Sequence, residues 1–247
     1  MDDRALMRFC AIRGRPIPQQ IGGSTVLFKG HPIMIQEDIT GTFIIIRGGR
    51  RTCFIVEIDA TTGDSVLLDL EAGRWGDTCF TDNYKDSTAL VKVAVWIAKK
   101  RGARKIELTD NSTVICKPSG EKIDLAELSF ITTGKTWYER LIPKLTPSNE
   151  AFSSRLDTWR HSVDTKKWND IVHLLPELES LGEPNELAKN VLTRMKKNGE
   201  WCEYFANNMD TLRRAFGIES RIKGTQWYAP LDSIISTRKT RKQKIRT

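Results

Sequence analysis

Very little in this chain of 247 residues marks it for a metal, a membrane or secretion. It has only three histidines, His31, His161 and His173, and they lie far apart. Of its five cysteines, Cys10, Cys53, Cys79, Cys116 and Cys202, no two form a C-x-x-C pair. Ligand spacing for zinc is therefore missing. An odd, scattered set of thiols also argues against a disulfide framework and for a reducing, intracellular compartment. No apolar run approaches the roughly 20 residues of a membrane span. The densest, Phe43 to Ile46, reads as a buried strand. The N-terminal stretch MDDRALMRFC is charged from its second residue and lacks the apolar core of a signal peptide. No internal repeat is visible.

Acidic residues are missing from one place in particular. From Thr237 to Thr247 the sequence TRKTRKQKIRT holds Arg238, Lys239, Arg241, Lys242, Lys244 and Arg246 and no acid, so six of the eight net positive charges sit in this tail. The body before it is nearly neutral. A run of cations with Ile245 as its one apolar anchor is expected to stay unfolded by itself. It could contact nucleic acid, an acidic protein surface or an import receptor. Trp227 and Tyr228 are near enough in sequence to serve as stacking residues.

What is present has two different periods. Short runs rich in apolar and β-branched residues, Thr25 to Lys29, Pro32 to Gln36, Thr42 to Ile46, Arg51 to Ile58 and Val66 to Leu70, predict strands. Gly48-Gly49 and Thr61-Thr62-Gly63-Asp64 join neighbours at hairpin spacing, which predicts an antiparallel meander. Leu90, Val93, Ala94, Ile97 and Ala98 then make one helical face, with Asp86 or Ser87 as its cap and Lys99-Lys100-Arg101-Gly102 as its stop. A strand follows over Arg104 to Thr109, with Ile106 and Leu108 inward. Such a crossover requires a mixed sheet with the helix packed across it. Beyond Pro143 and Pro147 the period is helical, in four stripes: Phe152, Leu156, Trp159 and Val163; Trp168, Ile171, Val172 and Leu175; Leu187, Val191, Leu192 and Met195; and Trp201, Phe205, Met209, Leu212 and Phe216. The expectation is an α+β fold in three parts: 1–145 an α+β domain, 146–235 a helical domain or appendage, and 236–247 the basic tail.

Gly134-Lys135-Thr136 carries the last letters of a phosphate-binding loop. The first glycine of that motif is replaced by Ser129, and Ile123 to Leu128 before it does not read as a buried strand. The phosphate-loop reading fails. The wider order, a helix running into Lys99-Lys100-Arg101-Gly102-Ala103-Arg104-Lys105-Ile106-Glu107-Leu108, an asparagine loop, then Trp137-Tyr138-Glu139-Arg140-Leu141, resembles the second half of the GNAT superfamily of N-acetyltransferases. The resemblance covers roughly Asp82 to Pro143. It extends to a divergent branch of such proteins in large double-stranded DNA viruses of eukaryotes. It implies a GNAT-like, mostly antiparallel mixed sheet with a crossover helix.

For function, the resemblance implies Tyr138 as the general acid toward a departing coenzyme A thiolate. Glu57, or Asp59 on the same strand, would be the base, and Asn111 would lie beside the cofactor arm. The family's coenzyme pyrophosphate sits on a glycine-containing loop at the start of the crossover helix. Here that loop is Thr81-Asp82-Asn83-Tyr84-Lys85-Asp86-Ser87-Thr88, without glycine and with two acids that Lys85 offsets only in part. Ile142-Pro143 also replaces the family's glycine and phenylalanine after the tyrosine. Three readings follow. The first is a non-catalytic acetyltransferase-like structural or interaction protein that needs no cofactor, with capsid or other virion proteins as partners. The second is an N-acetyltransferase using acetyl-coenzyme A. The third is a nucleic-acid-binding protein acting through the tail.

Overall fold

The computed structural model describes residues 19–49, 52–70, 79–82, 86–116, 119–197 and 201–231. Five strands open the fold: β1 (Gln19–Phe28), β2 (His31–Thr40), β3 (Phe43–Gly48), β4 (Phe54–Asp59) and β5 (Asp64–Leu70), each antiparallel to the one before. Helix α1 (Ser87–Lys100) crosses over and delivers β6 (Lys105–Thr109) parallel to β5. A small hairpin, β7 (Thr113–Ile115) and β8 (Lys122–Asp124), leads into α2 (Leu125–Thr133). After the short β9 (Thr146–Pro147) come α3 (Glu150–Thr165), α4 (Trp168–Ile171), two 3-10 turns, α5 (Ala188–Lys197), α6 (Trp201–Ala215) and β10 (Gln226–Pro230). The eight-stranded sheet runs β1-β2-β3-β4-β5-β6-β10-β9, so this is an α+β fold on a mixed, mostly antiparallel sheet.

The periodicities seen in the sequence explain most of this. Val56 and Ile58 on β4, Leu67 on β5, and Ile106 and Leu108 on β6 turn to one face and are buried there against α1. From α1 come Leu90, Val93, Ala94, Ile97 and Ala98. Burying each such Leu, Ile or Val contributes about 1.5–3 kcal/mol. The Asp86 carboxylate caps the helix, and Arg101 closes it onto Gly102, whose φ of 84° a side chain would resist.

β10 was not anticipated. It inserts between β6 and β9 and places Trp227 in the core, edge-on to Phe152 of α3 at 6.4 Å. The helical region therefore shares one core with the sheet. Trp227 is fully buried and only Tyr228, 41% exposed, faces solvent, so the pair cannot stack on nucleic acid together. The second helical stripe is also cut short. Leu175 takes φ −137° because Pro176 follows, and α4 gives way to 3-10 turns. Helix α2 escaped periodicity for the opposite reason. Polar Glu127, Ser129 and Thr132 are buried alongside Leu128, Phe130 and Ile131, which leaves no polar face to set a period.

The cysteine reading is corrected. Cys53 bonds Cys79 and Cys116 bonds Cys202, across 26 and 86 residues of chain. Such bonds accompany oxidising rather than reducing surroundings. Sequence spacing could not announce them, because only tertiary folding brings each pair within reach. Cys10 lies outside the described residues. Among the described residues no helix is long and apolar enough to cross a membrane.

Candidate functional site

Gly134 ends α2 in the left-handed conformation, φ 73°, with its N–H donating to the Phe130 carbonyl at 2.7 Å. A phosphate loop uses its glycines to enter a helix, whereas this one leaves a helix. Beyond it, Thr136 and Glu139 brace a short turn. The Thr136 N–H donates to Glu139 Oε2 at 2.7 Å, and the Glu139 N–H donates to Thr136 Oγ1 at 3.3 Å. Arg160 of α3 fastens this turn to the helical region. Its Nε donates to the Gly134 carbonyl at 2.8 Å, and its two Nη atoms reach Glu139 Oε1 at 2.8 Å and Asp157 Oδ1 at 2.6 Å.

Tyr138 sits in that turn. Its side chain is 6% exposed and lies edge-on to Trp137 at 4.9 Å, in the same core as Val56 and Ile58. Glu57 is 4% exposed and pairs across strands with Ile45 and Val66. By strand alternation Glu57 lies on the sheet face opposite Val56 and Ile58, and Tyr138 belongs to the core cluster that contains those two residues. Asp59 is occupied as a turn residue, accepting from the Thr61 and Thr62 N–H groups at 2.8 and 3.3 Å.

Asn111 is exposed just beyond β6. Its neighbour Asp110, fully buried, does the structural work of this turn. Asp110 Oδ1 accepts from the Ser112 N–H at 3.1 Å and from its hydroxyl at 2.5 Å. Burial pushes the Asp110 carboxyl above its ordinary range, against the opposing pull of those two bonds. Glu127 on α2 is raised as well, again chiefly by burial, with Arg213 pulling the other way. It accepts the Ile222 N–H at 3.2 Å and so ties the segment before β10 to α2. Sequence reasoning singled out neither Asp110 nor Glu127. No local pattern distinguishes either from a solvated acid.

The start of α1 decides how a polyanion would be received. Asp86 Oδ1 accepts from the Thr88 N–H at 2.9 Å, the Ala89 N–H at 3.2 Å and the Thr88 hydroxyl at 2.5 Å. The amides that a helix N-terminus offers to a phosphate are already held by a carboxylate. Asp82 pairs with His31 at 2.7 Å. Lys85, the cation expected to offset these acids, lies outside the described residues, as do Arg238, Lys239, Arg241, Lys242, Lys244 and Arg246. Near the same end of the sheet the parallel pairing of β5 and β6 stops at Leu67 and Leu108. Past that point β5 stays with β4 through Leu70, and β6 stays with β10 through Thr109, so the two strands part.

No group of three or more metal-ligating side chains occurs among the described residues. The chain matches no family model, no curated protein and no solved structure.

Proposed function

We propose that this chain is an acetyltransferase-like protein that has lost coenzyme chemistry and acts through contacts with other proteins, as a structural component of a virus particle. The meander, the crossover helix and the returning parallel strand support the GNAT-like part of that reading. The observation that carries the non-catalytic part is the Asp86 cap. A coenzyme pyrophosphate entering at α1 would have to displace a carboxylate from the Thr88 and Ala89 amides and then sit beside its charge. The burial of Tyr138 points the same way.

A second reading, an acetyl-coenzyme A-dependent N-acetyltransferase, is favoured by one feature. The parting of β5 and β6 past Leu67 and Leu108, with exposed Asn111 beyond β6, is a place where an extended cofactor arm could lie. Titrating acetyl-coenzyme A into the full chain separates the two. The expected outcome is no saturable heat and no rise in melting temperature, because a ligand that binds the native state must stabilise it. Micromolar binding would overturn the non-catalytic reading and return Tyr138 to the role of general acid. The nucleic-acid reading rests on the tail alone and is tested by its removal.

A further inference from the structure

The sheet has two faces, and the described helices account for the burial of one. Their buried apolar residues share a single cluster with Val56, Ile58, Ile106 and Leu108. On the other face Ile45 and Ile55 form a separate cluster with Leu68 against it, to which no described helix contributes. Cross-strand register adds Asp38 and Thr40 of β2, Arg47 of β3 and Glu57 of β4 to that face, and all four are buried. Asp38 pairs with Arg47. The open face of an antiparallel sheet meets water unless something lies on it, and a buried carboxylate such as Glu57 requires donors. This face therefore has a cover.

The cover is narrow. At one side of the same face Leu27 and Met34 are exposed, and at the other Lys105 and Glu107 pair at 2.8 Å with both side chains half-exposed. Between them the buried zone runs from β2 to β4, two strand spacings or about 10 Å, the width of one α-helix. Three stretches outside the described residues have the length for two helical turns: 1–18, 71–78 and 232–247. Residues 71–78 hold Gly73 and Gly76, and 232–247 offer only Ile234, Ile235 and Ile245 as apolar side chains. Residues 1–18 alone carry a helical stripe, Leu6, Phe9, Cys10 and Arg13 at i, i+3, i+4 and i+7, with Asp2 and Asp3 before it and Gly14 and Pro16 after it. Charge agrees as well. The buried face holds two acids, Asp38 and Glu57, against Arg47, while 1–18 hold four arginines against two aspartates.

We infer that residues 1–18 of this chain are the cover: an amphipathic helix that lays Leu6, Phe9 and Cys10 on Ile45 and Ile55 and brings Arg13 to Glu57. The reach suffices. Gln20, Asp38, Ile45 and Glu57 form one row across the sheet, so Glu57 lies three strand spacings from β1, about 14 Å. The five residues between Arg13 and Gln19 extend to about 17 Å. Arg13 is the one charge on the apolar stripe, and arginine is the cation best suited to a buried carboxylate. This cover involves neither the α1 N-terminus nor Tyr138, so it is tested separately from coenzyme binding.

The test uses the chain's own thiol. With Cys53 joined to Cys79 and Cys116 to Cys202, Cys10 is the one cysteine left to react. Its alkylation by iodoacetamide is timed in the native full chain and in urea. Native alkylation is expected to be at least about tenfold slower, since a packed group reacts only through local opening. Arg13→Gln and Glu57→Gln should each speed it about tenfold, the loss of one charge-assisted contact, and the double variant should be no faster than either single one. Leu6→Asp should remove the protection while the rest of the chain still melts cooperatively, which separates a lifted cover from a lost fold. Lys92→Gln, an exposed lysine on α1, should change nothing. Any of three results overturns the assignment: native Cys10 reacting as fast as in urea, additive effects of the Arg13 and Glu57 variants, or protection that fades on dilution, which would make a second copy of the chain the cover.

Discussion

Breaking the Cys116–Cys202 bond should destabilise this protein more than breaking Cys53–Cys79. Each bond removes freedom from the unfolded chain in proportion to the logarithm of the loop it closes. With 86 residues between its ends, Cys116–Cys202 contributes about 4.6 kcal/mol on that model, and Cys53–Cys79, across 26 residues, about 3.5 kcal/mol. Measured values for native bonds usually fall somewhat lower. At this chain length each kcal/mol shifts the melting temperature by about 2–4 °C, so Cys116→Ser with Cys202→Ser should lower it by about 10 °C. The structural consequence is also specific. Cys116 follows the β7 strand and Cys202 lies in the first turn of α6, so the bond ties the sheet half to the helical half. Calorimetry of the parent and the two double variants, with and without reductant, reads the difference. Reductant should lower the parent's melting temperature further than either double variant's, since the parent alone has both bonds to lose. A non-reduced peptide map showing Cys116 and Cys202 as free thiols would refute the reasoning. So would a Cys53→Ser, Cys79→Ser variant that loses clearly more stability than its counterpart.

Trp227→Ala should cost about 3–5 kcal/mol, the usual loss for a buried tryptophan, and Trp227→Phe much less; urea unfolding checks the ranking, which a surface stacking role for Trp227 would reverse. Asp110 holds its proton in the native state to higher pH than in the unfolded chain, so the stability it contributes is complete below the unfolded value, about pH 4, and is lost as pH rises through the raised one. Asp110→Asn should therefore flatten that part of the stability–pH profile; a profile parallel to the parent's would contradict the assignment. Ending the chain at Ser236 should leave the melting temperature unchanged and any nucleic-acid affinity weak in both forms. Tight, salt-sensitive binding by the full chain that disappears with the tail would instead mark a phosphate-neutralising contact.

Local physics made a good part of this fold legible. The meander follows from period-two alternation between glycine turns, and α1 follows from Leu90, Val93, Ala94, Ile97 and Ala98 between an Asp86 cap and Gly102. The parallel return of β6 follows from the crossover itself. Acids at the start of α1 could likewise be read directly, although their hold on the Thr88 and Ala89 amides needed coordinates. What local order could not determine was everything that depends on partners distant in sequence. Trp227 became core rather than surface because β10 pairs with β6, more than a hundred residues earlier. The cysteines found each other across loops whose closure no spacing rule anticipates. Turns, caps and alternation are decided by neighbours along the chain. Charge compensation and burial are decided by neighbours in space, and those the tertiary fold alone supplies.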